Sequence, residues 1–167
     1  MADAVSRRHR FRYSEVADMG RFSEQVDQDL KQAGWTPDRQ VDPAPWLSAF
    51  EAEGLHGHPA ASAFLAEFGG LAVDISGSGI SRAREPFELN PLLCLGEGDR
   101  FSAWGEDIKR SIFPVGVLDQ GRFFLGIDEN SEIYLLETWL ASFGRMPEAM
   151  SNLILGVQPT VIDDGSD

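Results

Sequence analysis

Three apolar segments near the middle of the chain are joined by connections too short to allow more than one kind of fold. Phe113 to Leu118, Arg122 to Ile127 and Glu132 to Leu136 are separated only by Asp119-Gln120-Gly121 and Asp128-Glu129-Asn130-Ser131. A parallel pair needs a crossover of about a dozen residues or more, so these segments must fold back on each other as antiparallel hairpins. Gly, Asp, Asn and Ser in the connections are the residues that tight turns favour.

Upstream the hydrophobic period differs. Phe22, Val26, Leu30 and Ala33 share one helical face. Ser23 is placed to cap that helix and Gly34 to end it in a left-handed conformation. Asp42-Pro43 reads as the start of a second helix, with Trp46, Leu47 and Phe50 inward and Gly54 at its close. A third starts at His58-Pro59, carries the stripe Ala61, Phe64, Leu65 and Phe68, and stops at Gly69-Gly70. The period then falls to two: Leu71, Val73 and Ile75 alternate, Ser76–Arg84 reads as a hairpin loop, and Phe87 and Leu89 alternate again. Residues 99–111 return to helix, with Asp99 as cap and Phe101, Trp104 and Ile108 inward. A last helix starts near Pro147 and buries Ala149, Met150, Leu153 and Ile154.

Helices first, a meander later and short connections predict an α+β fold, a single domain with an antiparallel sheet of about five strands and helices packed around it. At 167 residues the chain is long enough to bury a core without disulfide or metal. Residues 1–20 read as a flexible basic arm, 21–156 as the folded domain and 157–167 as a loose acidic tail.

Charge narrows the partners. Asp and Glu number 27 against 14 Lys and Arg, a formal net charge of −13. Residues 1–12 carry Arg7, Arg8, Arg10 and Arg12 against Asp3, a local +3, which leaves −16 for residues 13–167. A field of that sign disfavours nucleic acid and anionic membrane and favours a basic protein; the arginine arm alone has the sign to touch nucleic acid or lipid. The basic N-terminal residues are not followed by an apolar stretch, and no run reaches the ~20 apolar residues of a membrane span. Cys94 is the only cysteine, so no intramolecular disulfide forms, and it reads as a small buried hydrophobe among Leu92, Leu93 and Leu95. The expectation is a cytoplasmic protein.

Sites for chemistry are sparse. His56-Gly57-His58 offers two imidazoles, but a zinc site needs three or four ligands and only His9 remains elsewhere, so a polar helix start is the reading adopted. Gly77-x-Gly79 follows a strand but lacks the third glycine and the helix of a dinucleotide motif. No G-x-S-x-G elbow is present. Acidic pairs such as Glu106-Asp107 and Asp128-Glu129 raise glycoside hydrolysis or a divalent-ion site, against the plainer reading of solvated turns and helix faces. Catalytic, cofactor and metal residues are therefore expected to be none. The candidates for partner binding are Glu97, Asp99, Glu106 and Asp107 around the fourth helix, and Asp128, Glu129 and Glu132 at the hairpin. Trp35 and Trp139 are the two tryptophans expected to be exposed enough to anchor an interface.

Taken in order, Ala33-Gly34-Trp35, Arg39, Val41-Asp42, Trp46, Phe64-Leu65-Ala66-Glu67-Phe68-Gly69-Gly70-Leu71, Pro91, Gly105-Glu106, Phe113-Pro114-Val115-Gly116, Phe124-Leu125-Gly126-Ile127-Asp128 and Tyr134-Leu135 resemble the SUKH superfamily, specifically its third immunity-protein subgroup. The resemblance runs from about Phe22 to Gly156. It implies an α+β domain that binds and neutralises a cognate toxin of a polymorphic toxin system in the cytoplasm of the bacterium that makes it. Gly34, Gly69, Gly70, Pro114 and Gly126 fall where backbone geometry demands those residues, so they carry fold rather than a site. Other branches of the superfamily are regulatory, which leaves a protein-binding regulator or scaffold as one alternative; a small carboxylate-dependent hydrolase is the other.

Overall fold

The computed structural model describes residues 20–166. The basic arm expected over residues 1–20 lies, but for Gly20, outside them.

In chain order the elements are α1 (Glu24–Gln32), α2 (Ala44–Glu51), α3 (Pro59–Phe68), β1 (Ala72–Val73), β2 (Phe87–Glu88), a 3-10 turn (Pro91–Cys94), α4 (Gly98–Ile108), β3 (Phe113–Leu118), β4 (Phe123–Ile127), β5 (Glu132–Leu136), β6 (Leu140–Arg145), α5 (Glu148–Leu155) and β7 (Thr160–Asp163). The strands form one sheet in the order β1-β2-β3-β4-β5-β6-β7, every neighbouring pair antiparallel. This is an α+β fold built on a seven-stranded meander, two strands more than expected.

The helix ends follow local chemistry. Ser23 Oγ accepts from the Val26 amide at 3.3 Å, and Gly34 takes φ 108° two residues after α1 ends. At the start of α2 the Asp42 carboxylate accepts from Ala44 N at 3.0 Å, while Pro43 stands one position before the helix rather than in its first turn. His58 caps α3 through Nδ1, which accepts from Ala61 N at 3.1 Å.

Hydrophobic burial welds these pieces together. Phe22, Trp35, Phe64 and Phe68 form an aromatic cluster under α1 and α3, with Trp35 stacked on Phe68 at 6.3 Å. Phe50 of α2 meets Phe113 of β3 edge to face at 5.4 Å. All six residues of β3 are buried, so both faces of the sheet are covered at its centre. Gly126 makes the approach of α4 possible: a Cβ there would lie 2.5 Å from Ile112 Cγ2 and 3.0 Å from Phe101 Cε1.

Three expectations are corrected. The chain beyond Gly156 is not loose, because Thr160–Asp163 pair with β6 as the edge strand. Strand β6 was not read at all; its Ala141, Ser142 and Gly144 have low strand propensity, and pairing with β5 supplies the order. Finally, α4 starts at Gly98 with Glu97 at its cap, so Asp99 lies inside the first turn.

Candidate functional site

The candidate carboxylates gather at the two ends of α4. This helix is 11 residues long, about 16 Å from end to end, so the groups are distinct. Glu97 and Asp99 belong to its N-terminal end; Glu106 and Asp107 are exposed near its C-terminal end.

At the C-terminal end the β4–β5 turn closes in. Lys109 ends α4 with φ 58° and turns the chain toward the sheet. The Ser111 amide then donates to Glu129 Oε2 at 2.9 Å, and Arg110 Nε lies 3.7 Å from Asp128 Oδ2. Helix and hairpin are therefore spatial neighbours at this end. Asp128 nevertheless offers little to a partner, since it is 0% exposed. Its Oδ1 accepts from Asn130 N at 2.8 Å and Glu132 N at 2.9 Å, and its Oδ2 accepts from the Tyr134 hydroxyl at 2.8 Å. Its use is to hold the turn together, which corrects its place among the surface carboxylates. Burial and the hydrogen bond to Asp128 push the Tyr134 phenol far above its ordinary range. Glu132 is half-buried and accepts from Ser142 Oγ at 2.6 Å. That leaves Glu106, Asp107 and Glu129 as the exposed acids here.

At the N-terminal end Asp99 is exposed and Glu97 half-exposed. Glu97 pairs with Arg100 at 3.3 Å, and Arg100 also reaches Glu137 at 3.7 Å. The Thr138 backbone N–H and hydroxyl hold the Glu137 carboxyl below its usual value. Glu53, which sequence reasoning did not single out, accepts from Gly96 N and Gly98 N, both at 2.9 Å, and so ties the loop before α4 to the end of α2.

The two tryptophans part company. Trp35 is 1% exposed, its indole N–H donating to Glu67 Oε2 at 3.0 Å, so it is core and not an anchor. Glu67 is held in turn by Arg21 at 3.0 and 3.2 Å. Trp139 is half-buried, edge-on to Phe123 at 6.0 Å, and remains a candidate. Arg122 lies over Phe123 and Arg100 over Phe124, giving that part of the surface a cationic edge.

His58 is occupied structurally. With Nδ1 capping α3, its Nε2 faces the carbonyls of Ser111 at 3.0 Å and Ile127 at 3.2 Å, an arrangement that makes Nε2 the protonated donor. Among the described residues no group of three His, Cys, Asp or Glu is placed to hold a metal, and no helix is long and apolar enough to cross a membrane. Gly77–Gly79 sits in the β1–β2 loop, where Ile80 N and Ser81 N bond to Leu155 O and Gly156 O at 2.9 Å. Burial pushes the Cys94 thiol up to about 12, and its S–H donates to Gly116 O at 3.2 Å.

No curated protein and no solved structure matches the chain. The model of a family described as SUKH-3 immunity protein matches residues 22–156, from the start of the aromatic cluster to the glycine that ends α5. That span holds the helices, the strands β1 to β6 and both ends of α4, and the chain therefore belongs to the SUKH-3 immunity protein family.

Proposed function

We propose that this chain binds a cognate protein toxin in the cytoplasm of the bacterium that makes both, and neutralises it by occlusion without catalysing a reaction. Membership of an immunity-protein family carries the reading. The charge of −16 over residues 13–167 supports a basic toxin as the partner, because opposite fields speed association and orient the encounter. The exposed acids Asp99, Glu106, Asp107 and Glu129 and the half-exposed Glu97 supply that field, and the half-buried Trp139 offers an aromatic contact.

The test is co-expression of the chain with each toxin domain of its own genome in a susceptible strain. One toxin should become harmless and should co-purify with the chain. Titrating that toxin's activity should then reach completion at a stoichiometric ratio, and association should slow about tenfold between low and physiological salt. Failure to protect against any toxin overturns the immunity role. Protection at substoichiometric amounts overturns occlusion, and salt-insensitive association overturns the electrostatic part.

A further inference from the structure

Leu92, Leu93 and Leu95 are 44%, 46% and 49% exposed, three large apolar side chains within four residues. A 3-10 turn has three residues per turn, so Pro91 and Cys94 point the same way, inward, and the leucines between and after them point out. The platform beneath is fixed from four sides. Pro91 and Cys94 are buried, the Cys94 S–H donates to Gly116 O of β3, Asn90 Oδ1 accepts from Leu92 N at 3.1 Å, and Glu53 takes the amides of Gly96 and Gly98. Side chains held this way lose little freedom on binding, which suits them to anchor a contact.

The surroundings state the partner's chemistry. No lysine or arginine occurs between Arg39 and Arg82 or between Arg84 and Arg100, the stretches that supply α2, the 3-10 turn and the start of α4. Arg100 itself is flanked by Glu97 and Glu137. Asp99 is exposed and Glu97 partly so just after the leucines in the chain, and the partly exposed Glu53 is tied to Gly96 and Gly98 beside them. An apolar centre beside an acidic rim that Arg100 offsets only in part matches a basic protein surface that presents an apolar pocket. A second copy of this chain is a poor occupant, since each copy brings −13 and the same acidic rim.

We infer that the ledge formed by Leu92, Leu93 and Leu95, rimmed by Glu53, Glu97 and Asp99, is the face that seats the toxin. This rests on the immunity reading above and names its contact. The leucines act as anchors and slow dissociation; the rim speeds association.

The experiment uses the full chain and the toxin domain recovered with it by co-expression. Leu93→Asp should weaken binding at least about 100-fold, mainly through faster dissociation, and the milder Leu92→Ser/Leu95→Ser pair about 10-fold. Glu97→Gln/Asp99→Asn should slow association about threefold at low salt while leaving dissociation unchanged. Each variant should keep the wild-type melting temperature within about 2 °C, because the altered side chains are exposed. Wild-type affinity in a folded Leu92→Ser/Leu95→Ser variant overturns the ledge and leaves the immunity role standing. So does loss of binding in Glu106→Gln/Asp107→Asn with the leucine variants unaffected. Recovery of no toxin by the wild-type chain overturns both, whereas recovery of the toxin together with leucine-dependent dissociation supports both.

Discussion

At the N-terminal end of α4, Asp99 and the half-exposed Glu97 reach solvent beside three half-exposed leucines, whereas at the C-terminal end Asp128 is buried against the chain's own amides. The residue types are the same and the uses are opposite. Asp128 takes two amides of the turn and the phenol of Tyr134, a buried donor that would otherwise be orphaned, and an unsatisfied buried donor costs more than a surface acid contributes. Glu53 stands between the two cases: its carboxylate works internally, yet what it steadies is a surface. Acidity therefore marks two roles in this protein, one that fixes a turn and one that colours a face, and apolar neighbours rather than charge separate them.

Substitutions can break or sharpen that contrast. The largest effect is expected from Asp128→Ala, which strands the Tyr134 hydroxyl and two amides beside Arg110. It should cost about 3 kcal/mol and lower the melting temperature by about 9 °C. A denaturant series showing less than about 0.5 kcal/mol would make the two ends of α4 equivalent. Glu53→Ala should cost about 1–2 kcal/mol, and hydrogen exchange at Gly96 and Gly98 should quicken while the Asn130 and Glu132 amides stay protected.

Cys94 gives a pH test of the platform under the leucines. Its thiol is pushed from an ordinary 9.0 up to about 12, so on raising the pH the unfolded chain releases the proton first. The folded state is then favoured below pH 9 and loses that advantage as the pH climbs toward 12. Comparing wild type with Cys94→Ala separates this from the Tyr134 phenol, which drifts the same way. At pH 8 a water-soluble maleimide should leave the native thiol unmodified and label it rapidly in urea. Smallest of all, Glu106→Gln/Asp107→Asn should change stability by no more than about 0.5 kcal/mol, measured by thermal unfolding, since both are exposed.

Much of the architecture was legible from local pattern. The expected strands over 113–118, 122–127 and 132–136 differ from those observed only at Arg122, which lies in the turn, and the inward residues of α3 and α5 are those the period selects. Strand β7 escaped notice because all but one of its residues are exposed, so it has no apolar alternation to read; β6 gives it a partner. The leucine ledge escaped for a related reason. Leu-Leu-Cys-Leu reads as an interior run, and only the Asn90 cap and the bond from Cys94 to β3 turn three of the four outward. Trp35 and Asp128 erred in opposite ways: each was placed at the surface by its sequence neighbours and drawn inside by a partner far along the chain or across a turn.

The amino-acid order alone settled the fold class, the hairpin meander, the starts of α1 and α3 and the sign of the electrostatic field, because each depends on residues close in sequence or on a sum over all of them. Which carboxylates stay exposed, which leucines stay wet and where the sheet ends were decided by tertiary contacts. Exposure depends on what distant segments bring to the same place, and no short window of sequence contains that information.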